Sequence, residues 1–244
     1  MPKSSGFQNY IAIYSGVVTL AFGGLLLTGA DAPRNARFDT IDVQRINVRE
    51  ADGTLRMVVS NEGRFPGAIF QGREYRHPRD AAGMIFYNDE GTENGGLIFN
   101  GAKDANDKIR SGGHLSFDPY DRDQVVALQQ IEEDGKLVRA GLVISDKGTG
   151  SAEAMFREKP RFDAMTPEAR DKAYTEMAER GEFNNPRLFV GKNARDASVL
   201  DLRDGKGKTR LRLQVAADGT AQILFMDAAG KVQRTMTPDD LAAK

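Results

Sequence analysis

The chain opens on an uninterrupted apolar stretch and then settles into short alternating runs. From Ser4 to Ala30 the only ionisable side chains are the phenols of Tyr10 and Tyr14, and Tyr10–Thr28 carries Ile11, Ile13, Val17, Val18, Leu20, Phe22 and Leu25–Leu27. A helix of about 20 such residues spans the roughly 30 Å hydrocarbon layer, so residues 10–30 are expected to be a transmembrane anchor behind a short tail, 1–9. Tyr10 and Tyr14 near its start suit the headgroup level. A cleaved signal peptide ending at Thr28-Gly29-Ala30 is the alternative, but the apolar region outruns the usual length of about 7–15 residues. Ser15, Thr19 and Gly23 recur at every fourth position and form a small-residue face that lets another membrane helix approach.

After a connector at 31–37, runs of alternating apolar residues are separated by Asp-Gly and Asn/Gly turns, the signature of antiparallel β structure. Leu55, Met57 and Val59 share a strand face after Asp52-Gly53. Met84–Tyr87 and Leu97–Phe99 flank the turn-rich stretch Asn88–Gly96, and Val125–Ile131 and Leu137–Ile144 flank Asp134-Gly135. These make a first β segment, 38–150. A second, 186–244, reads as a meander with strands at Arg187–Gly191, Ser198–Asp204, Thr209–Val215, Thr220–Asp227 and Lys231–Met236. There Leu211, Leu213 and Val215 are expected to face a core, and Arg210, Arg212 and Gln214 water. Thr220–Met226, apolar on both faces, is expected to be a central strand. Between the segments, 151–185 reads as a linker, Ser151–Phe162, followed by one helix: Thr166 as N-cap, Pro167 at the first position, and Gly181 as terminator. The fold class is therefore mainly β, an antiparallel meander or sandwich-like domain with one inserted helix near 166–180 behind an N-terminal helix.

Hydrophobic content of 40% and charged content of 28% are those of a folded protein. Lys and Arg number 34 against 35 Asp and Glu, so no bulk field attracts nucleic acid. Cysteine is absent, which excludes disulfides, thiolate metal sites and cysteine nucleophiles. Lys3 and the α-amino group face Arg34 and Arg37, softened by Asp31, across the apolar stretch. The charge rule is nearly balanced, and the usual signal-anchor arrangement puts the tail in the cytoplasm and the body in the periplasm of a bacterial inner membrane.

Candidate chemistry is sparse. Of two histidines, His114 alternates with Ser116 and Asp118 along one strand, so the three share a face. Such neighbours are about 7 Å apart at Cα, and no Gly-x-Ser-x-Gly elbow is present. The acidic loops Asn88, Asp89, Glu90, Glu93 and Asp104, Asn106, Asp107 do not match a calcium loop and suit turns. Gly95-Gly96 and Gly112-Gly113 read as turns or bulges. Partner contacts are expected at Phe65 and Phe70, beside turn residues, and at the basic residues Lys206, Lys208, Arg210 and Arg212. No catalytic, cofactor or metal site is expected.

Two passages, Gly83–Phe99 with its preceding alanine (AGMIFYNDEGTENGGLIF) and Gly113–Gln124 (GHLSFDPYDRDQ), resemble a group of uncharacterised bacterial proteins with an N-terminal hydrophobic segment. The resemblance spans roughly 40–145 and implies no activity, ligand or site. The expected function is a membrane-anchored, non-catalytic accessory or scaffold subunit. It would hold or cap a larger complex of integral membrane proteins, of respiratory, photosynthetic or envelope type. The alternative is an extracytoplasmic domain binding a sugar, lipid or ion through the loops 88–96 and 104–113.

Overall fold

The structure is a computed structural model that describes residues 5–28 and 35–242, with side chains of the first helix described at Gly6 and from Asn9 to Gly24. The chain divides into two units, 1–42 and 43–244.

In the first unit, α1 (Ser5–Thr28) takes up the apolar stretch. A transmembrane span, expected at 10–30, is not among the described elements: no helix among the described residues is long and apolar enough to cross a membrane. The described side chains stop at Gly24, before the leucines 25–27 that complete the apolar run, and residues 29 and 30 lie outside the described residues. Of the small-residue face, Ser15 and Thr19 are exposed and Gly23 half-buried. Residues 31–34 of the connector also lie outside the described part.

The second unit is one twelve-stranded sheet and a two-stranded hairpin. The sheet contains β1 (Arg45–Arg49), β2 (Leu55–Ser60), β5 (Ala82–Tyr87), β6 (Glu93–Lys103), β7 (Ile109–Phe117), β8 (Val126–Glu133) and β9 (Lys136–Asp146), then β10 (Asn185–Asn193), β11 (Ser198–Arg203), β12 (Thr209–Val215), β13 (Ala221–Met226) and β14 (Val232–Met236). Every neighbouring pair is antiparallel. The hairpin is β3 (Ala68–Phe70) with β4 (Arg73–Tyr75). Because β9 pairs with β10, the two β segments are a single sheet, and the helices between them are an excursion from one strand to its neighbour.

Those helices are two. Thr166, Pro167 and Gly181 end α3 (Pro167–Glu179) as expected: the Thr166 hydroxyl accepts from the Ala169 N–H at 3.3 Å, and Gly181 takes φ +71°. The stretch 151–162, read as a linker, is instead part of α2 (Ala152–Asp163). Ser151 caps it by accepting from the Ala154 N–H at 3.0 Å, and Pro160 is confined to its last turn.

The sheet has two unlike faces. Leu55, Val58, Ile85 and Tyr87 lie on one face and form a buried cluster with Ile69 of the hairpin; a bulge at Arg56 turns Leu55 onto that side. A second cluster on the same face joins Phe189, Val199 and Ala197. The opposite face carries an unbroken cross-strand row: Ile46, Val59, Met84, Leu97, Leu115, Leu128, Leu142, Val190, Leu200, Leu213, Ile223, Met236. All twelve strands contribute an apolar side chain, and none of them is buried. Beside it runs Val48, Met57, Phe86, Gly95, Phe117, Val126, Ile144, Leu188, Leu202, Leu211, Phe225, Arg234. Leu211, Leu213 and Val215, expected in a core, thus lie on the uncovered face, with Leu213 41% exposed, while Arg212 turns inward to a buried carboxylate. The strand expected to be central is next to the edge, and only Leu224 among its apolar residues is buried.

Candidate functional site

The covered face of β5–β7 and the helices α2 and α3 enclose a cavity of about 590 Å³. Alternation along β7 places His114 and Ser116 on this face, opposite Ile98 and Gly96 of β6, and Asp118 follows them into the cavity. Gly96 is tightly packed here: a Cβ would come within 2.8 Å of Ile85 Cδ1 and 3.0 Å of the Met84 carbonyl oxygen, so the Ile85 side chain would have to shift. Gly95-Gly96 and Gly112-Gly113, expected as turns or bulges, are strand residues, with a one-residue bulge next to the first pair. The hairpin and α2 supply aromatic walls: Phe70 packs on Phe156 at 5.6 Å and His77 stands edge-on to Phe156 at 5.1 Å. Tyr75 hydrogen-bonds the Glu153 carboxylate and ties hairpin to helix. Phe162 and Tyr174 stack at 5.3 Å and join α2 to α3.

Most charges around the cavity are matched. Arg79 donates from one nitrogen to both oxygens of Glu93 at 2.8 and 2.6 Å, and its Cζ lies 5.7 Å from the Phe65 ring centre. Arg122 donates to the carbonyls of Gly148 and Asp121, and Lys159 pairs with Asp163 at 2.8 Å. Asp118 is the carboxylate left unmatched: its Oδ1 is sealed from solvent and has no hydrogen-bond partner, as is the case for the Nε of Arg79. Burial, reinforced by Glu93, holds this carboxyl up at about 7, with the Ser116 hydroxyl opposing. Burial also lowers both His114 and His77, so each imidazole favours its neutral form.

Compared with protein families, curated proteins and solved structures, the chain matches none. Its chemistry therefore has to be read from geometry. His114, Ser116 and Asp118 share the cavity, but His114 Nδ1 lies 3.1 Å from Gln129 Nε2. His114 is thus engaged by Gln129, and the Ser116 hydroxyl faces the Asp118 carboxyl. Among the described residues no group of three or more His, Cys, Asp or Glu could hold a metal ion. The acidic loops are turn formers: Asn88 Oδ1 accepts from the N–H groups of Glu90 and Thr92, and Asp104 Oδ1 from those of Asn106 and Lys108.

Of the residues singled out for partner contact, Phe70 is buried in the cavity wall and Phe65 packs on the first core cluster. Lys206 and Lys208 are exposed in the β11–β12 turn, and Arg210 pairs with Asp204 at 3.5 Å. Arg212 is committed inside, donating to buried Asp201 at 2.6 and 2.8 Å. The apolar sheet face was missed because it becomes visible only when the strands are in register. At its C-terminal end Val190, Leu200, Leu213, Ile223 and Met236 line an open trough of about 670 Å³.

Proposed function

We propose that the chain is a membrane-anchored, non-catalytic assembly subunit that holds or caps a larger complex of integral membrane proteins. Respiratory, photosynthetic and envelope complexes are the types that fit. The apolar stretch 10–30 is read as the anchor, and the β body as lying on the periplasmic side.

The apolar row from Ile46 to Met236 carries this reading. At a strand spacing of about 4.8 Å, twelve strands extend the paired rows over on the order of 50 Å. With two side-chain rows across, the stripe covers on the order of 700 Å², more than the roughly 300–600 Å² of the largest patch on a typical monomer. Covered by a partner, it buries on the order of 1,400 Å² in total, within the size range of specific stable interfaces. A lone soluble domain gains nothing from keeping such a surface in water, at about 25 cal/mol per Å² of apolar area. A protein layer packed against it removes that cost.

The test is gentle extraction of native membranes, capture of the full chain, and comparison with Phe117→Lys/Leu128→Lys. The expected result is integral membrane proteins at fixed ratio to the wild-type chain and their loss from a folded double variant. A wild-type chain that runs alone, or a variant that keeps the same partners, contradicts the proposal.

A further inference from the structure

The cavity on the other face of the sheet raises a separate question, since assembly through the apolar rows does not use it. Its volume, about 590 Å³, falls within the roughly 300–1,000 Å³ of small-molecule sites. What it lacks inside identifies what it takes.

Each cation at the cavity already has its anion or carbonyl: Arg79 has Glu93, Lys159 has Asp163, and Arg122 has the carbonyls of Gly148 and Asp121. An anionic ligand would have to displace or share one of these partners, since only the Nε–H of Arg79 is unused. The Asn184 amide is spent on Asp123 O, Gln124 O and the Gly148 N–H, and His114 is engaged by Gln129. A sugar, which needs many free donors and acceptors, finds few. Among the described residues that line the cavity, two buried side-chain atoms lack a partner: the acceptor Asp118 Oδ1 and the donor Arg79 Nε, the latter on a guanidinium already neutralised by Glu93. A buried acceptor without a partner costs about 1–3 kcal/mol, which a ligand N–H can recover once the Asp118 carboxyl turns that oxygen into the cavity it lines. The described residues offer no ligand set for a metal ion. The walls at Phe70 and Phe156 present rings to an apolar body and to a positive charge.

We infer that this cavity binds a protonated organic amine with an apolar or aromatic body, its ammonium group donating to Asp118 and its body lying against Phe70 and Phe156. A primary or secondary amine fits better than a quaternary one, because the unpartnered oxygen requires an N–H.

Titration calorimetry and thermal shift on the full chain in detergent test this with phenethylamine, hexylamine, 2-phenylethanol and 3-phenylpropionate. The amines are expected to raise Tm in a dose-dependent way and to bind at least tenfold tighter than the matched alcohol, with the carboxylate weakest. Asp118→Asn, close in shape and checked by circular dichroism, is expected to erase the preference for amine over alcohol. Phe156→Ala is expected to weaken both ligands and keep that preference. Equal binding of amine and alcohol to the wild type, no response to either amine, or a preference that survives Asp118→Asn overturns the assignment. The comparison of ligands on the wild type needs no variant to fold.

Discussion

Asp201 is the most consequential single carboxylate of the second half of the sheet. It is 2% exposed, accepts two bonds from Arg212 and lies 3.5 Å from Arg203. Breaking a buried ion pair from one side leaves an uncompensated charge. Asp201→Ala is therefore expected to lower stability by about 2–4 kcal/mol, less than a fully buried pair because Arg212 is partly exposed, read as a lower denaturant midpoint at unchanged slope. Asp118 gives a pH signature. Its carboxyl, raised from 3.8 to about 7, is neutral in the folded chain over a range where the unfolded chain ionises it. The stability it contributes is full below pH 3.8 and is lost as pH rises through about 7. Relative to wild type, Asp118→Asn is expected to flatten the decline in Tm between those two values; parallel profiles would contradict this. The sequence places Asp118 on one face with His114 and Ser116 but does not show its burial, and Asp201 looks like any other strand acidic residue. Their surroundings depend on Glu93 of β6, Arg79 of the loop before β5 and Arg212 of β12, which folding brings in from elsewhere in the chain.

At the scale of elements the sequence is more informative. Asp-Gly and Gly-x-Gly turns bound the strands because residues at positive φ must close the hairpins, as Gly135 (φ +73°) and Gly219 (φ +87°) do. The ends of α3 follow from Thr166 and Gly181, and Thr166→Ala is expected to lower stability by about 1 kcal/mol with a matching loss of helical signal. α2 is hidden by its charges and by Pro160, which reads as a breaker but sits where the helix is already ending. Alternation shows that Leu211, Leu213 and Val215 share a face, yet it cannot say which face is covered; the helices, placed on the other side, decide that. The joint between the two β segments depends on Gly141 opposite Gly191, where a Cβ on Gly141 would lie 2.3 Å from the Val190 carbonyl oxygen. Gly141→Ala is expected to cost about 1–3 kcal/mol through forced separation of β9 and β10, with amide exchange accelerating first at that junction.

For the whole molecule, the contrast between the two faces organises function. One face is covered by the hairpin, α2 and α3 and keeps a partly polar cavity. The other presents apolar rows that cross all twelve strands, and none of the apolar residues of the first row is buried. The protein contains no cysteine, so a single introduced thiol reports its own surroundings. The decisive measurement is maleimide labelling of Leu128→Cys, at the middle of the apolar row and 53% exposed in the isolated chain, beside a Lys206→Cys control in an exposed turn. If the sheet face is an assembly surface, Cys at 128 reacts readily in the purified chain and is protected at least tenfold in native membranes, while Cys at 206 reacts in both. Equal labelling at 128 in membranes and in the purified chain would show the face open to water in the cell and contradict the assembly role.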